Sequence, residues 1–498
     1  MTPRNLYILL LALSWLFVAF FVSAGIGAPW FIVGLVVFTA LGIYDMYQKQ
    51  DAVLRDYPVI GHMRYLFLSI APNLHNYFVE SNTDGRPFSK NMIALIKKRA
   101  DNETAFHPFG TERDPYKENM PWVSHSLFPK VSQPVLHRVK IGGESCQQPY
   151  EAALLNVSAM SFGAISENAV RALNRGAKLG GFYQNTGEGG LTPYHLEEGG
   201  DIVLQIGTGN FGFRTEDGNF DPKAFKKRSE HEKVKMIEIK LSQGAKPGHG
   251  GMLPAEKNTE EIAKIRGVAP HTNVLSPPFN PAIHSADQLV DFIDNVRSLS
   301  QGKPVGIKLC IGNASEFEAL LDTFIQRQKF PDFITVDAGE GGTGAAPLEY
   351  SNHVGVRGKD ALRWVNNTLI NKGIRSKLKI IYAGKVCSGF TLFEALCLGA
   401  DLCNSARGFM FALGCIQSLR CHTDQCPTGV ATQNKQLQKG LVTNVKYKKV
   451  ANFQRNTIED LQALMKTVGV PSLEALTPDL LHSDFKALHS EPELISHS

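Results

Sequence analysis

The chain has 498 residues, 43% of them hydrophobic and 20% charged, with a formal net charge of +5. That length leaves room for one large domain plus attachments, because single hydrophobic cores stop growing near roughly 250 to 300 residues, and the composition excludes both wholesale disorder and a polytopic membrane protein. A small positive charge without a basic and aromatic stripe gives no case for nucleic acid, and eight cysteines, three clustered and the rest scattered in apolar runs, point to a reducing compartment.

From Asn5 to Tyr44 no side chain is charged, and the run is broken only by Ser23-Ala-Gly-Ile-Gly-Ala-Pro29. The two halves, Leu6 to Ala24 and Ala28 to Tyr44, each approach the ~17 to 25 residues that a helix needs to cross a bilayer. Arg4 precedes the first span, and Lys49 and Arg55 follow the second. The positive-inside rule then places both ends, and any catalytic body, in the cytoplasm. Residues 1–48 are thus expected to form a two-helix hairpin in the cell membrane. The competing reading, a secretory signal ending at Val22-Ser-Ala24, conflicts with the second spanning-length run that follows it.

Residues 49–150, rich in Pro, Asn and His, are expected to pack on the following domain, with a helix over Pro87 to Arg99. The histidines in His107-Pro-Phe-Gly110 and Ser124-His-Ser126 lack a second metal-type residue at helical spacing and read as loop and packing residues.

Beyond residue 154, short β-branched or apolar runs alternate with glycine-rich turns and helical segments, the pattern of βα units around a parallel sheet. Eight candidate strands emerge: Leu155 to Ala159, Phe182 to Asn185, Ile202 to Ile206, Met236 to Leu241, Val305 to Cys310, Phe333 to Asp337, Lys379 to Ala383 and Asp401 to Ser405. That number suits a closed (β/α)8 TIM barrel, an α/β fold, over residues 151–440. The stretch Gly244 to Lys303 is long for one connection and is expected to fold over the mouth, with Ser276-Pro-Pro-Phe-Asn-Pro281 as a rigid turn. Residues 441–498 read as a helical tail.

Such barrels bind ligands at the C-terminal ends of their strands, often with phosphate held by the loops after strands seven and eight. Those loops read Ala383-Gly-Lys-Val386 and Ser405-Ala-Arg-Gly408, with small residues that let backbone N–H groups approach an anion and with Arg407 as a bidentate cation; plain βα turns are the alternative. Cys415, Cys421 and Cys426 form a C-x5-C-x4-C cluster followed by Pro427. Iron–sulfur ligation suits three thiolates and a Cys-Pro ending. A structural zinc with His422 as fourth ligand, or three unligated thiols, are the other readings.

Several longer motifs occur together: Ser158-Ala-Met-Ser-Phe-Gly163, Asn185-Thr-Gly-Glu-Gly-Gly190, Ile239-Lys-Leu-Ser-Gln-Gly-Ala-Lys-Pro-Gly248, Ser276-Pro-Pro278, Gly341-Gly-Thr-Gly-Ala-Ala-Pro347 and Cys415 to Gln433. In this order they resemble the synthase domain of the glutamate synthase large subunit, strongly over about residues 150 to 440 and weakly over 60 to 150. The resemblance implies FMN, a three-iron four-sulfur (3Fe-4S) cluster and 2-oxoglutarate. It implies that Ser158, Ala159, Met160 and Ser161 line the flavin, that Lys308 places a cation near N1 and O2 of the isoalloxazine, and that Gly341, Gly342, Thr343, Gly384, Lys385, Ala406, Arg407 and Gly408 surround the ribityl phosphate. From position alone, Lys308 reads equally as a salt-bridged lysine at a strand end. The resemblance further assigns the cluster to Cys415, Cys421 and Cys426. Lys246 and Arg266 would clamp the substrate carboxylates, with Glu188 and Gln243 beside the reacting carbon.

Two positions depart from the family pattern: after Lys-Pro-Gly a glutamate and then a glutamine are usual, and here stand His249 and Met252. No nucleophile-type glutaminase segment precedes the barrel and no Gly-x-Gly-x-x-Gly fingerprint follows a strand. Ammonia is therefore expected from solution or an amidotransferase partner, and electrons from ferredoxin or an NAD(P)H-oxidising subunit. The leading expectation is a glutamate-forming oxidoreductase. The alternatives are a membrane-linked FMN-dependent hydroxy-acid or amine dehydrogenase, with His249 or His195 as base, and a non-catalytic membrane redox relay.

Overall fold

A computed structural model describes residues 2–25, 29–117, 120–129 and 136–482, in two compact units, Met1–Ser89 and Lys90–Ser498. The first unit begins with α1 (Pro3–Ser23) and α2 (Pro29–Tyr47), both long and apolar enough to cross a membrane. The two helices meet through Tyr7, whose hydroxyl donates to Phe38 O at 3.0 Å, and Trp15, whose indole N–H donates to Thr39 Oγ1 at 3.0 Å. α1 starts before the expected Leu6 because Thr2 caps it and Pro3 occupies the first turn, where a missing N–H costs nothing. The expected start of the second span, Ala28, lies outside the described residues.

The sequence reading left the next stretch without assigned structure, yet it is largely helical. α3 (Ala52–Asp56) is capped by the Asp51 carboxylate, and α4 (Gly61–Leu74) continues as a π-helical turn over His75–Val79. Pro72 has no N–H to give to Leu68, and the ladder widens just after it.

The second unit is a closed barrel of eight parallel strands: β1 (Leu155–Val157), β2 (Tyr183–Asn185), β3 (Asp201–Ile206), β4 (Val234–Lys240), β5 (Val305–Leu309), β6 (Phe333–Asp337), β7 (Lys379–Ala383) and β8 (Leu402–Ser405), with β8 returning to β1. All eight expected strands are present, shifted at their ends by a residue or two where backbone leaves the ladder for a loop. Several crossover helices start at a side-chain cap. Ser166 accepts from Ala169 N at the start of α5 (Glu167–Gly180), and Ser285 accepts from Gln288 N at the start of α6 (Ala286–Leu299). The helix expected at Pro87 to Arg99 spans Lys90–Asp101, and it is tied to the long C-terminal helix Thr443–Val468 by Asn456 Nδ2 donating to Arg99 O at 2.7 Å and by an Arg99–Asp460 ion pair at 2.5 Å. Beyond residue 482 the expected tail lies outside the described residues.

The bottom of the barrel is plugged by an antiparallel pair, Val139–Ile141 with Tyr150–Ala152, whose Ile141 and Tyr150 join Tyr183, Val203, Met236, Phe333, Ile381 and Leu402 in one apolar layer. Above it the interior turns polar. The buried Glu238 carboxylate accepts from Asn185 Nδ2 (2.8 Å), Gln205 Nε2 (2.6 Å) and Thr335 Oγ1 (2.7 Å), so its desolvation is offset by three donors from three other strands of the barrel. This layer is the floor of the open end.

Candidate active site

At the C-terminal rim, β4 ends in Lys240, whose buried ammonium donates to Glu188 Oε2 at 2.9 Å and to Gln243 Oε1 at 2.7 Å. Glu188 sits in the tight turn after β2 and also accepts from Ser276 Oγ at 3.3 Å, so the Ser-Pro-Pro segment of the long connection does reach the mouth. Glycines make room for this carboxylate: a Cβ at Gly207 would lie 2.5 Å from Glu188 Cβ, and one at Gly251 would lie 2.3 Å from Oε1. Burial disfavours the charged form of Glu188. The bonded Lys240 ammonium, with Arg266 and Lys246 beyond it, outweighs that cost and holds the carboxyl down at about 2.

Lys246 donates to Ala345 O at 2.6 Å. Burial pulls it down to about 8, against the opposing pull of Glu188. Arg266, brought down to about 10 by burial against the pull of Glu188, lies at the end of the helix Glu260–Arg266 with its centre 5.3 Å from the Phe211 ring. Its terminal nitrogen donates to Phe162 O (3.0 Å) and Ser161 Oγ (3.3 Å), which joins the expected substrate clamp to the loop expected to face a flavin. The structure thus gathers Glu188, Gln243, Lys246 and Arg266, and adds Lys240, which sequence reasoning missed. The signal was present in the strand Val234-Lys-Met-Ile-Glu-Ile-Lys240: Glu238 and Lys240 share the inward face by the two-residue period, and inward charges in a barrel strand call for partners.

Beside this cluster, Ser158, Met160 and Ser161 are buried after β1, and Ser158 N donates to Ser405 O at 3.0 Å. The loops come close: Gly187, at φ +65°, has its Cβ position 2.6 Å from Ser161 N, a place only glycine can fill. Lys308, penultimate in β5, is ion-paired with Asp337 Oδ2 at 3.2 Å, so the salt-bridge reading holds for it, and Asp337 Oδ2 also accepts from Gly244 N at 3.0 Å. Burial works against the Lys308 charge, but Asp337 and Glu238 outweigh it and raise its pKa.

The loops after β6, β7 and β8 converge. A Cβ at Gly342 would lie 2.7 Å from Arg407 Nε, Ser405 Oγ donates to Val386 O at 2.6 Å, and a Cβ at Gly384 would lie 2.1 Å from the Tyr382 hydroxyl. That hydroxyl is buried with no hydrogen-bond partner. An orphaned donor, a glycine-lined cradle and the Arg407 and Lys385 cations together fit a phosphate-bearing cofactor.

Cys415, Cys421 and Cys426 lie within electrostatic reach of one another. Burial pushes Cys415 up to about 11, with Cys421 and Cys426 adding, whereas Cys426 is lowered, because Thr428 and the N–H groups of Ala431, Thr428 and Val430 outweigh its burial. Among the described residues no three side chains are gathered tightly enough to hold a single metal ion. By donor chemistry alone, three soft sulfurs on one loop suit a thiophilic metal group. Two residues that sequence reasoning missed lash this loop to the β1 loop. Lys257 Nζ, almost wholly buried, donates to Ala164 O (2.6 Å), Cys421 O (3.2 Å) and Ala431 O (3.1 Å), and Gln433 Nε2 donates to Gly163 O and Ile165 O at 3.1 Å each.

His195 is fully buried, bonded through Nδ1 to Thr192 Oγ1 at 2.8 Å and pushed by burial to about 3, which unfits it as a base near neutrality. His249 packs edge-on against Tyr350 with centroids 4.9 Å apart, and Met252 is exposed in a two-stranded pair with Val274–Leu275.

Residues 113–471 match the family model described as the conserved region in glutamate synthase. The chain belongs to the glutamate synthase family. It is 36% identical over 488 residues to the glutamate synthase large subunit-like protein YerD of Bacillus subtilis, covering 89% of this chain and 92% of that one. It is 34% identical over 322 residues to the archaeal-type glutamate synthase (NADPH) of Thermotoga neapolitana, covering 64% of this chain and 60% of the relative, and 33% identical over the same length to its counterpart in Methanocaldococcus jannaschii. The chain thus spans nearly all of YerD and about three-fifths of the archaeal-type enzymes. Family membership places it among oxidoreductases.

Proposed function

We propose that the chain makes glutamate from 2-oxoglutarate and ammonia as a membrane-anchored flavoenzyme. Ammonia condenses with the oxo group, water leaves, and the resulting 2-iminoglutarate takes up two electrons and two protons. FMN, when bound, would supply the hydride, and Cys415, Cys421 and Cys426 would hold a 3Fe-4S cluster able to take single electrons from ferredoxin or an NAD(P)H-oxidising subunit. Ammonia enters free or from an amidotransferase partner. Ser158 to Ser161 and Lys308 would hold the isoalloxazine, and Gly341, Gly342, Thr343, Gly384, Lys385 and Ala406 to Gly408 its phosphate.

The observation that carries the reading is the charge count at the mouth. Lys240 is paired with Glu188 and Lys308 with Asp337, whereas Lys246 and Arg266 have no ion pair of their own among the described residues, and two such cations are the complement of a dicarboxylate. Lys246 and Arg266 then bind the two ends of the substrate. Lys240 keeps Glu188 ionised and fixed, so that Glu188 accepts hydrogen bonds from the ammonia and then from the imine N–H, and orients both. Gln243, held by Lys240, aligns the oxo group. Burial of Lys240, Lys246 and Arg266 limits water around the imine.

In the cell, α1 and α2 would anchor the enzyme as a hairpin with the barrel on the cytoplasmic side, a reading supported by Arg4, Lys49 and Arg55 at its ends. Anaerobic protein reconstituted with FMN and iron sulfide and then chemically reduced should be reoxidised by 2-oxoglutarate plus ammonia, with stoichiometric glutamate. Reoxidation by neither this nor another 2-oxo acid with ammonia would overturn the reading.

A further inference from the structure

An uncharged stretch runs from Tyr65 to Val79, and it forms most of α4 with its π turn. Every residue from Met63 to His75 is exposed, including Leu66 (57%), Phe67 (54%) and Leu68 (55%), and Phe78 beyond them is 81% exposed. Solitary surface apolar residues need no explanation, but an exposed apolar helix does.

The pattern is two-faced. Met63, Phe67, Ile70 and Leu74 recur at i, i+4, i+7 and i+11, and His62, Tyr65, Ser69 and Asn73 recur at i, i+3, i+7 and i+11 about 120° round the helix, with Leu66 and Leu68 flanking the apolar stripe. The polar side is engaged only at its start. Asp45, fully buried in the last turn of α2, accepts from Val59 N at 2.8 Å and His62 Nε2 at 3.0 Å, and Tyr65 donates to Asp51, the cap of α3. These contacts fix the first turn of α4 at the level where the second spanning helix ends. From that level α4 reaches about 21 Å over 14 residues, short of the ~30 Å hydrocarbon core, and Asn73 and Asn76 would be costly inside it.

We propose that α4 lies in the headgroup region of the same bilayer, its Met63–Phe67–Ile70–Leu74 stripe sunk into lipid and its His62–Tyr65–Ser69–Asn73 stripe turned to water, as a third contact between chain and membrane. The occupant of the apolar face is lipid because the face begins at the membrane-proximal end of α2 and carries aromatic and aliphatic side chains suited to the interface. The inference rests on the hairpin spanning the membrane, and its test separates the two.

The full chain is placed in phosphatidylcholine nanodiscs, with p-benzoylphenylalanine introduced singly at Phe67, Ile70, Asn73 and, inside α1, Phe20. These side chains are exposed, so folding is retained. After illumination, mass spectrometry should find lipid adducts at Phe67 and Ile70 at a yield comparable with Phe20, and at least fivefold less at Asn73. Crosslinks from Phe67 or Ile70 to a second copy or another protein, or no adduct there while Phe20 reacts with lipid, overturn the inference alone. Absence of lipid adducts at Phe20 overturns the hairpin reading and the inference with it.

Discussion

Lys246 offers the sharpest test of the site. Burial pulls its ammonium from an ordinary value near 10.5 to about 8, so the group that should grip a substrate carboxylate loses its charge within the working range of a pH titration. If only the protonated form binds, the apparent dissociation constant scales with one plus the ratio of neutral to charged lysine. That factor is roughly 1.1 at pH 7 and roughly 11 at pH 9, a tenfold loss of affinity. Calorimetric titration of 2-oxoglutarate from pH 6.5 to 9.5 should trace this bend, and Lys246→Arg, which stays charged throughout, should flatten it. Stability should change in the opposite sense. A lysine whose folded pKa lies below its unfolded value destabilises the fold below about pH 8, and the penalty fades as pH rises toward 10.5. Lys246→Met should therefore gain up to about 3 kcal/mol near pH 7 and almost nothing at pH 10.5. Substrate that binds with a flat wild-type profile across pH 7 to 9.5 would refute the argument, and failure of 2-oxoglutarate to bind at any pH would refute its assignment as substrate instead.

Glu188 and Lys240 should be coupled by about 3 kcal/mol at pH 7 in a double-mutant cycle of Glu188→Gln and Lys240→Met followed by urea unfolding. Because the Glu188 pKa falls on folding, the coupling is full above about pH 4.5 and declines as pH drops toward 2; a coupling unchanged between pH 7 and 3.5 would contradict this. Lys257→Met strands three carbonyls and frees the cysteine loop, so iron content per chain should fall at least twofold with a lower melting temperature, and unchanged iron would remove Lys257 from the account. Gly342→Ala places a methyl 2.7 Å from Arg407 Nε and should weaken FMN binding at least tenfold by fluorescence titration; wild-type affinity would exclude these loops as the phosphate cradle.

Much of this protein is legible along the chain because its periodicities are local. Hydropathy alone marks α1 and α2, and the alternation of β-branched runs with glycine turns marks all eight strands and hence the barrel. A closed parallel barrel presents one rim to ligands, but Glu188, Gln243, Lys246 and Lys308 are singled out there by the resemblance of their motifs to the family, not by position. What the chain alone concealed depends on distant segments meeting. Lys240 reads as one more lysine until the turn after β2 brings Glu188 to 2.9 Å, and Lys257 reads as a surface lysine until three carbonyls from the β1 and cysteine loops close around it. The amphipathic α4 hid for another reason: a mixture of Asn, His and Pro with aliphatic residues carries weak local propensity, and its exposure shows only once the helix is formed. The sequence by itself determined the barrel, the spanning-length helices and the ligand-bearing rim, because each is written in nearest-neighbour spacing. Tertiary structure alone decided which charges pair at that rim, because a buried ion acquires its meaning from partners that arrive from 52 to 174 residues away.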